Sequence, residues 1–265
     1  LNYAFENVDI VIHSAALKHV SIAEYNPTEF VETNIQGTHN VIKASISNRV
    51  TKTILLSTDK AVNPINLYGA TKLAAEKLFI AANNTVGNKK CYFSIVRYGN
   101  VIASRGSVLE KFLKLGKISK PIFTITHSKM SRFWISLEDA SLFVWMSIIR
   151  MQGGEIFVPK IPTMKMVDLA KAINPKGKIK YIGVRPGEKI SEVLISHEES
   201  ENVFEFKEYY KIKPQIRINK IINYSYSAGD KKGKKIKTPF EYNSNNISSK
   251  ISLSTLKKII SKLNF

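Results

Sequence analysis

The sequence has little of what builds secreted or membrane-spanning proteins. Its 265 residues include a single cysteine, Cys91, which excludes an internal disulfide framework and is typical of a reducing compartment. The longest apolar stretch, residues 142–149, is interrupted by Ser147 and is far shorter than the ~20 residues of a membrane span. No basic segment followed by an apolar one opens the chain, so we identify no secretory signal. We therefore expect a cytoplasmic protein with no membrane partner.

Acidic residues are also scarce. The chain has 21 of them against 40 Lys and Arg, which gives a formal net charge of +19. Such an excess suggests nucleic acid as a partner. Two observations oppose this hypothesis: the basic residues are scattered except for the run at 231–237, and aromatic residues do not interleave with them in a recognisable motif. We expect no nucleic-acid partner and keep a nucleic-acid-binding protein as an alternative.

Short apolar runs alternate with helical patterns in the first part of the chain. Strands are predicted at residues 9–13, 52–57 and 92–98, and helices at 27–48 and 68–83. This order predicts an α/β fold, a doubly wound (Rossmann-like) parallel sheet. The polar loops after the three strands, at residues 14–20, 58–66 and 99–107, are expected at one edge of the sheet. Ligands bind at this edge in such folds.

Beyond residue 107 the pattern becomes mixed and predicts a smaller α+β lobe. Helices are predicted at 108–115, 136–151, 164–172 and 253–263, and strands at 122–125, 155–158 and 178–182. We divide the chain into residues 1–107, the remainder of a dinucleotide-binding Rossmann domain, and residues 108–265. The second part is mainly a substrate-binding lobe with the C-terminal region, and interleaving of the two parts is compatible with the pattern.

A Gly-rich turn is missing from the start of the sequence. A dinucleotide-binding sheet begins with a strand and such a turn, which holds the cofactor pyrophosphate, and neither precedes Asp9. The chain also has no initiator Met. At ~30 residues per βαβ unit, we expect about 60–80 residues of the first strands to be absent. The sequence is then an N-terminally truncated fragment of a larger enzyme.

Tyr68 and Lys72 form the sharpest chemical signal. They lie four residues apart at the head of a predicted helix, which places both side chains on one helical face. There the ammonium can lower the pKa of the phenol, and the phenolate can take a proton from a hydroxyl while hydride leaves to a nicotinamide. The pair by itself is common in helices, and its position after two strand–helix units makes it specific.

Several longer segments carry a family resemblance. They are HSAALKHV (13–20), STDKAVNPINLYGATK (57–72), RYGNVIASRGSV (97–108), MSRFWI (130–135), GGEIFVPKIP (153–162), RPGEK (185–189) and YNSN (242–245). With them the chain resembles the extended short-chain dehydrogenase/reductase superfamily. Within it, the chain is most similar to the inverting UDP-N-acetylglucosamine 4,6-dehydratases, which begin pseudaminic acid synthesis.

The resemblance implies a hydro-lyase that uses NADP and acts on UDP-N-acetylglucosamine. Tyr68, supported by Lys72, would deprotonate the sugar 4-hydroxyl, and Thr58 would bind near the 4-oxygen. Lys60 would remove the C5 proton and Asp59 would protonate the departing 6-hydroxyl, so that water is eliminated. Related dehydratases carry Asp-Glu where this chain has Asp59 and Lys60, and the lysine therefore favours the group that inverts C5.

The resemblance also implies binding residues. Cofactor contacts are expected from Ser14, Tyr68, Lys72, Val101, Ile102, Ala103, Ser104 and Arg105. Substrate contacts are expected from Lys18, Leu56, Ser57, Asn100, Val108, Thr126, Arg185, Tyr242, Asn243, Ser244 and Asn245. The guanidinium of Arg185 suits a pyrophosphate, which it can bind through two hydrogen bonds. We expect a homo-oligomer by resemblance only, and no metal site, because the histidines show no metal-ligand spacing.

Two further interpretations stay open. A UDP-sugar 4-epimerase of the capsule polysaccharide type shares most of these motifs, but it returns hydride to C4 and makes no 6-deoxy product. An inactive fragment is suggested by the missing N-terminal segment and is opposed by the intact Asp59, Lys60, Tyr68 and Lys72.

Overall fold

The computed structural model describes residues 1–102, 104, 106–246 and 250–261. Its first strands are β1 (Ile10–His13), β2 (Lys52–Thr58) and β3 (Tyr92–Tyr98). The helices between them are α1 (Val20–Tyr25), α2 (Pro27–Phe30), α3 (Gly37–Ser47) and α4 (Leu67–Thr85), with a π-helical segment at Val31–Gln36 and short 3₁₀ turns at Tyr3–Phe5 and Asp59–Ala61. The three strands and the two long helical stretches were predicted from the sequence, and these predictions are confirmed.

The rest of the chain adds shorter strands and more helices. The strands are β4 (Asn100–Val101), β5 (Ile122–Ile125), β6 (Ser131–Ile135), β7 (Ile156–Pro159), β8 (Thr163–Lys165), β9 (Lys178–Tyr181), β10 (Val193–Ile195), β11 (Val203–Glu205), β12 (Tyr209–Ile212), β13 (Lys234–Lys235) and β14 (Tyr242–Asn243). The helices are α5 (Val108–Gly116), α6 (Leu137–Arg150), α7 (Met166–Ile173), α8 (His197–Ser200) and α9 (Leu253–Ser261).

The central sheet has seven strands in the order β1-β2-β3-β7-β12-β11-β13. Strands β1, β2, β3 and β7 are parallel, whereas β12, β11 and β13 continue the sheet antiparallel. The α/β class with a mostly parallel sheet is therefore confirmed. Because β7 pairs with β3, residues on both sides of position 107 share this sheet.

The main core fills the space between the central sheet and α4. Phe79 from α4 packs against Phe93 of β3, with ring centroids 5.6 Å apart, and both side chains are buried. Leu55 and Ile95 from the parallel strands complete this layer without solvent exposure. The apolar residues from which the strands were predicted are therefore the ones that are buried in the core.

A second cluster of buried residues lies among α5, α7, β5 and β9. Phe112 and Phe123 pack with ring centroids 5.0 Å apart, and Leu169 is completely buried beside them. Strands β5 and β9 pair in parallel as a separate two-stranded sheet. In the part of the chain that the structure describes, no helix combines the length and apolar character needed to cross a membrane.

Candidate active site

The loops that follow β1, β2 and β3 lie at the same edge of the sheet, because the three strands are parallel. The first and third loops approach each other: a Cβ on Gly106 would lie 3.3 Å from Cε1 of His19. The second loop packs on α4, where Gly69 leaves no room for a side chain beside the carbonyl oxygen of Lys60. The structure thus brings the predicted loops together.

Thr58, Asp59 and Lys60 form a hydrogen-bonded group directly after β2. The Lys60 ammonium donates to Oδ1 of Asp59 over 2.9 Å, and the Thr58 hydroxyl donates to the same oxygen over 2.9 Å. Asp59 is completely buried, and its Oδ2 has no hydrogen-bond partner among the described residues. The group therefore holds an acid and a base in direct contact.

Charged residues from distant parts of the chain surround Lys60. Its ammonium lies 3.5 Å from Oε1 of Glu192, and Nε of Arg132 lies 3.7 Å from the same oxygen. Although burial favours a neutral amine, the carboxylates of Asp59 and Glu192 hold the pKa of Lys60 above its usual value. At neutral pH Lys60 is therefore a cation in the structure.

Glu192, Arg132 and Lys189 also belong to this group and were not predicted from the sequence. The Lys189 ammonium donates to the carbonyl oxygen of Val62 over 2.7 Å, which places it beside the loop that follows β2. Two of the three lie inside motifs that carried the family resemblance, MSRFWI and RPGEK, and Glu192 follows three residues later. These motifs are the sequence feature from which the three residues could have been found.

Tyr68 is buried at the start of α4, where it packs with Ala23 and Phe30. Burial raises the pKa of its phenol, while the Lys60 ammonium and a hydrogen bond with the Thr58 side chain lower it. Tyr68 thus lies beside the Thr58–Lys60 group. From the sequence we expect Lys72 to lower this pKa, whereas in the structure Lys60 has this effect.

Lys72 is buried one turn after Tyr68 on α4. Its ammonium donates to the carbonyl oxygen of Leu56 over 2.7 Å, so it is anchored to the carboxyl end of β2. Burial lowers the pKa of Lys72 to about 8, and Glu76 opposes this shift. His13, at the end of β1, is also buried, and burial together with Lys72 lowers its pKa to about 4.

Asn34 holds the first loop in place. Its side chain accepts from the backbone N–H of Leu17 over 2.8 Å and donates to the carbonyl oxygen of Leu17 over 3.0 Å. It also donates to the Thr71 hydroxyl on α4 over 3.0 Å. Asn34 lies in the π-helical segment and is almost completely buried. Sequence reasoning missed it, because a lone Asn within a helical pattern carries no local signal.

Ser57 belongs to a buried ionic network. Its hydroxyl donates to Oε1 of Glu76 over 2.5 Å, and Arg97 binds Glu76 through two hydrogen bonds of 2.6 and 3.1 Å. Arg97 also donates to both carboxylate oxygens of Glu199 over 2.9 Å. This network joins β2, β3, α4 and α8. The predicted substrate contact of Ser57 remains a prediction.

The segment Tyr242 to Asn245 packs into the molecule. The Tyr242 hydroxyl accepts from the N–H of Ile161 over 2.9 Å, and the Tyr242 ring packs against Phe133. Ser131 and Ser244 share a hydrogen bond of 2.7 Å between their hydroxyls. The backbone N–H of Glu192 donates to the Ser244 hydroxyl over 2.9 Å, which connects this segment to the charged group around Lys60.

The other neighbours of this segment are also polar. Ser131 donates to Oδ1 of Asn245 over 2.7 Å, and Asn243 donates to Glu241 over 2.7 Å. The substrate contacts predicted for these asparagines remain predictions.

Thr126 and Arg185 meet at Glu188. The Thr126 hydroxyl donates to Oε2 of Glu188 over 3.0 Å, and Nε of Arg185 lies 3.9 Å from the same oxygen. Thr126 is buried, whereas 60% of the Arg185 side chain is exposed. Arg132 also approaches Glu188, at 3.8 Å, so these two predicted substrate residues connect to the Lys60 group.

The remaining predicted contacts lie at the same edge. Ser14 and Lys18 are exposed in the first loop, Val108 begins α5, and Asn100, Val101, Ile102 and Ser104 are partly buried along the third loop. Ala103 and Arg105 lie outside the described residues. Oδ1 of Asn100 is buried without a hydrogen-bond partner in the part of the chain that the structure describes, so an incoming donor would satisfy it.

These loops fit a nicotinamide cofactor. Ser14 and Ala15 are small, exposed residues at the end of β1, where a dinucleotide must approach the backbone closely. Gly106 has a φ of +73°, which favours glycine and lets the third loop pass close to His19. The phenol of Tyr68 and the ammonium of Lys72 lie on α4 beside them.

The sequence profile of the family described as "Polysaccharide biosynthesis protein" matches residues 1–214. The chain belongs to this family. A relative from Campylobacter jejuni named UDP-N-acetylglucosamine 4,6-dehydratase (inverting) is 53% identical over 247 residues, which cover 93% of this chain and 74% of the relative. The resemblance predicted from the motifs is confirmed.

A second relative in sequence and a solved structure are also similar to this chain. A relative from Rickettsia rickettsii named UDP-glucose 4-epimerase is 39% identical and covers 100% of this chain and 77% of its own length. The crystal structure of Pen from Bacillus thuringiensis superposes with a TM-score of 0.85 at 37% identity, over 99% of this chain and 78% of that one. This member of the polysaccharide biosynthesis protein family therefore resembles both dehydratases and epimerases in sequence.

Proposed function

We propose that the protein is an NADP-dependent UDP-N-acetylglucosamine 4,6-dehydratase that inverts C5 and makes a UDP-4-keto-6-deoxy-N-acetylhexosamine. The observation that carries the proposal is the contact between the Lys60 ammonium and the buried Asp59 carboxylate, at 2.9 Å, beside Tyr68. An elimination needs an acid and a base in one place, and a 4-epimerase has no use for this pair. The 53% identity with the inverting dehydratase of Campylobacter jejuni supports the same function.

Residues of the first and third loops would hold the cofactor. They are Ser14, Val101, Ile102, Ala103, Ser104 and Arg105, together with Tyr68 and Lys72 on α4. When bound, the nicotinamide would accept hydride from C4 of the sugar and return it to C6, while C5 takes a proton on the face opposite to the one that lost it, which inverts that centre. The proposal has four further parts, which rest on the family resemblance. They are the choice of NADP, a homo-oligomeric state, a cytoplasmic location and a role in pseudaminic acid synthesis.

Tyr68 would take the proton of the 4-hydroxyl as the C4 hydride leaves. Its phenol is buried, which raises its pKa, so the neighbouring cation Lys60 and the Thr58 hydroxyl must stabilise the phenolate. Lys72 would help to hold the sugar and cofactor from the same face of α4, one turn after Tyr68, where its ammonium is anchored to the carbonyl oxygen of Leu56. Oxidation then acidifies the C5 hydrogen.

Asp59 and Lys60 would perform the elimination. Asp59 must hold a proton and Lys60 must lack one, and moving the shared proton from Nζ to Oδ1 across their hydrogen bond produces both forms at once. Lys60 then takes the C5 proton while Asp59 gives its proton to the departing 6-hydroxyl, and water leaves. The pair ends as ammonium and carboxylate, the state in which it began.

The substrate would lie along the remaining residues of the edge. The diphosphate suits the exposed guanidinium of Arg185, which can bind through two hydrogen bonds. The other proposed substrate contacts are Lys18, Leu56, Ser57, Asn100, Val108, Thr126, Tyr242, Asn243, Ser244 and Asn245. Among the described residues, Oδ1 of Asn100 is buried without a hydrogen-bond partner, and this supports its role because a donor from the substrate could satisfy it.

Two substitutions test the assignment of acid and base. We expect Asp59→Asn and Lys60→Met, in the full-length natural protein, to lower the rate of 6-methyl product formation from UDP-N-acetylglucosamine by about 10²–10⁴-fold. Proton NMR of the product measures this rate. Lys89→Met is the matched control, because the Lys89 ammonium donates to the carbonyl oxygen of Ile46, away from the Lys60 group, and its loss should leave the rate unchanged.

Wild-type rates in either site variant would contradict the proposal. A wild-type protein that converts UDP-N-acetylglucosamine only into its 4-epimer would identify an epimerase instead.

A further inference from the structure

Glu192 approaches the candidate base from a part of the chain that is far away in sequence. Its Oε1 lies 3.5 Å from Nζ of Lys60 and 3.7 Å from Nε of Arg132. Glu192 immediately precedes β10, and the hydroxyl of Ser244, beside β14, accepts its backbone N–H over 2.9 Å. The Ser244 N–H donates back to the carbonyl oxygen of Glu192 over 2.9 Å. The backbone of Glu192 is therefore held on both sides.

Glu192 is also nearly completely buried, with 2% of its surface exposed. Its second carboxylate oxygen, Oε2, has no hydrogen-bond partner among the residues that the structure describes, and the same is true of Oδ2 of Asp59. A buried carboxylate oxygen without a partner is costly. Here two carboxylates with such an oxygen contact the same ammonium, that of the candidate base Lys60, which points to a role in the site.

Four charged groups face Glu192. Lys60 and Asp59 come from the turn after β2, Arg132 from β6, and Lys189 from the segment before β10. Burial keeps the pKa of Glu192 above its usual value and Asp59 adds to this rise, while the cations Lys60, Arg132 and Lys189 oppose it. The ammonium of Lys60 lies 3.5 Å from Oε1 of Glu192 and favours its carboxylate form.

We propose that Glu192 is a positioning residue: its carboxylate holds the amine of Lys60 against Asp59 and stabilises the ammonium that forms when Lys60 takes a proton. This inference rests on the proposed function in that it assigns Lys60 the role of base. The carboxylate acts through Lys60 and needs no contact with the sugar.

The electrostatics predict the direction in which the pKa of Lys60 changes when Glu192 is replaced. An opposite charge at this distance favours the charged form of an amine, so loss of the Glu192 carboxylate lowers the pKa of Lys60. The elimination needs one proton shared between Lys60 and Asp59, so activity falls as pH rises through the pKa at which the pair loses it. Removal of the Glu192 carboxylate should shift that fall to lower pH. It should also lower the rate below that fall, because the amine of Lys60 is no longer held against Asp59.

The first test measures Lys60 without reference to any activity. Trace acetylation of the lysines over a range of pH, read by mass spectrometry, gives an apparent pKa for Lys60, whose side chain is 22% exposed. We expect Glu192→Gln to lower this value by about one pH unit. Glu155→Gln is the matched control, because Glu155 is another fully buried glutamate with an unpartnered Oε2 within the described chain and is bonded to Gln152 instead.

An unchanged apparent pKa of Lys60 in Glu192→Gln would overturn the inference. If Glu192→Gln does not fold, as judged by circular dichroism, Glu192→Asp replaces it. That variant keeps the charge but withdraws it by one methylene group, so we expect a smaller shift in the same direction. No shift in a folded Glu192→Asp, with Glu192→Gln unfolded, would also count against the inference.

The second test uses the pH dependence of kcat with UDP-N-acetylglucosamine. In Glu192→Gln we expect the alkaline fall of kcat to begin about one pH unit lower and kcat below that fall to drop about tenfold, with KM changed less than kcat. A purely structural role would lower kcat at every pH without shifting the profile. If the wild-type protein makes no 6-deoxy product, the proposed function fails, whereas the acetylation result still decides the role of Glu192.

Discussion

Buried titratable side chains are concentrated where β1 and β2 end. His13 and Lys72 both lose solvent there, and burial favours the neutral form of each: the pKa of His13 falls to about 4 and that of Lys72 to about 8. The His13 ring bonds to the Thr38 hydroxyl at 3.0 Å and stacks on Phe79. The pKa values of these single residues therefore determine how the protonation of the site changes with pH.

His13 predicts a loss of stability in acid. Because its pKa is about 4 in the folded chain and about 6.5 when unfolded, the unfolded state binds more protons between these values. The contribution of His13 to the free energy of unfolding is present above pH 6.5 and is lost as pH falls towards 4. We expect this to be worth about 2 kcal/mol between pH 7 and pH 5.

Urea denaturation of wild type and His13→Gln at both pH values measures this contribution. The wild type should lose about 2 kcal/mol more than His13→Gln over that range. His197→Gln removes an exposed histidine and serves as the control, with the pH dependence of the wild type. Equal losses in wild type and His13→Gln would contradict the burial argument.

Helix α4 is the element that organises the site. It begins where the Asn66 side chain accepts from the N–H of Gly69 over 2.8 Å, and where Glu24 accepts from the N–H of Leu67 over 2.9 Å. The helix then carries Tyr68 and Lys72 on its buried side. Its first turn presses so closely on the Lys60 backbone that only glycine fits at position 69.

Gly69→Ala should therefore damage both stability and activity. A methyl group there overlaps the backbone of Lys60, so the turn carrying Asp59 and Lys60 must move, at a cost of about 1–3 kcal/mol. Gly37→Ala is the control, because its Cβ would lie at an ordinary 3.6 Å from the carbonyl oxygen of Glu32 and alanine favours helix by up to about 1 kcal/mol.

Urea denaturation and kcat measured on both variants test this prediction. We expect Gly69→Ala to lose stability and kcat together and Gly37→Ala to lose neither. An active, fully stable Gly69→Ala would show that the contact between α4 and the Lys60 turn does not position the catalytic pair.

The elements near the site could be predicted from the sequence because each is encoded locally. The apolar run at 52–57 reads as a strand by itself, and β2 occupies Lys52–Thr58. The extension of the sheet by β12, β11 and β13 was not predicted. These strands are two to four residues long, and charged residues such as Glu205, Lys211 and Lys234 interrupt their patterns. Their pairing depends on contacts that no local pattern contains.

The same reason limits the prediction of the site. Asp59, Lys60, Tyr68 and Lys72 lie within fourteen consecutive residues, and their motif was recognisable. Glu192 approaches Lys60 only through the folding of the C-terminal half against the sheet edge. The motif RPGEK, which ends three residues before Glu192, was recognisable in the sequence. That Glu192 contacts Lys60 could not be predicted from it.

At the scale of the whole molecule, the net charge of +19 includes cations with internal partners. Arg97 is bound by Glu76 and Glu199, and Lys211 donates to the carbonyl oxygen of Tyr226 over 2.8 Å. Both side chains are fully buried. Part of the basic excess therefore holds the sheet and its neighbours together and cannot meet an external partner.

The central claim is that Asp59 and Lys60 eliminate water from a UDP-sugar. The most direct measurement is proton NMR of the product that the full-length wild-type protein makes from UDP-N-acetylglucosamine in deuterium oxide. We expect a new 6-methyl signal and solvent deuterium at C5, with C5 inverted. A product that keeps its 6-hydroxymethyl group and its C5 proton, and differs from the substrate only at C4, would contradict this function.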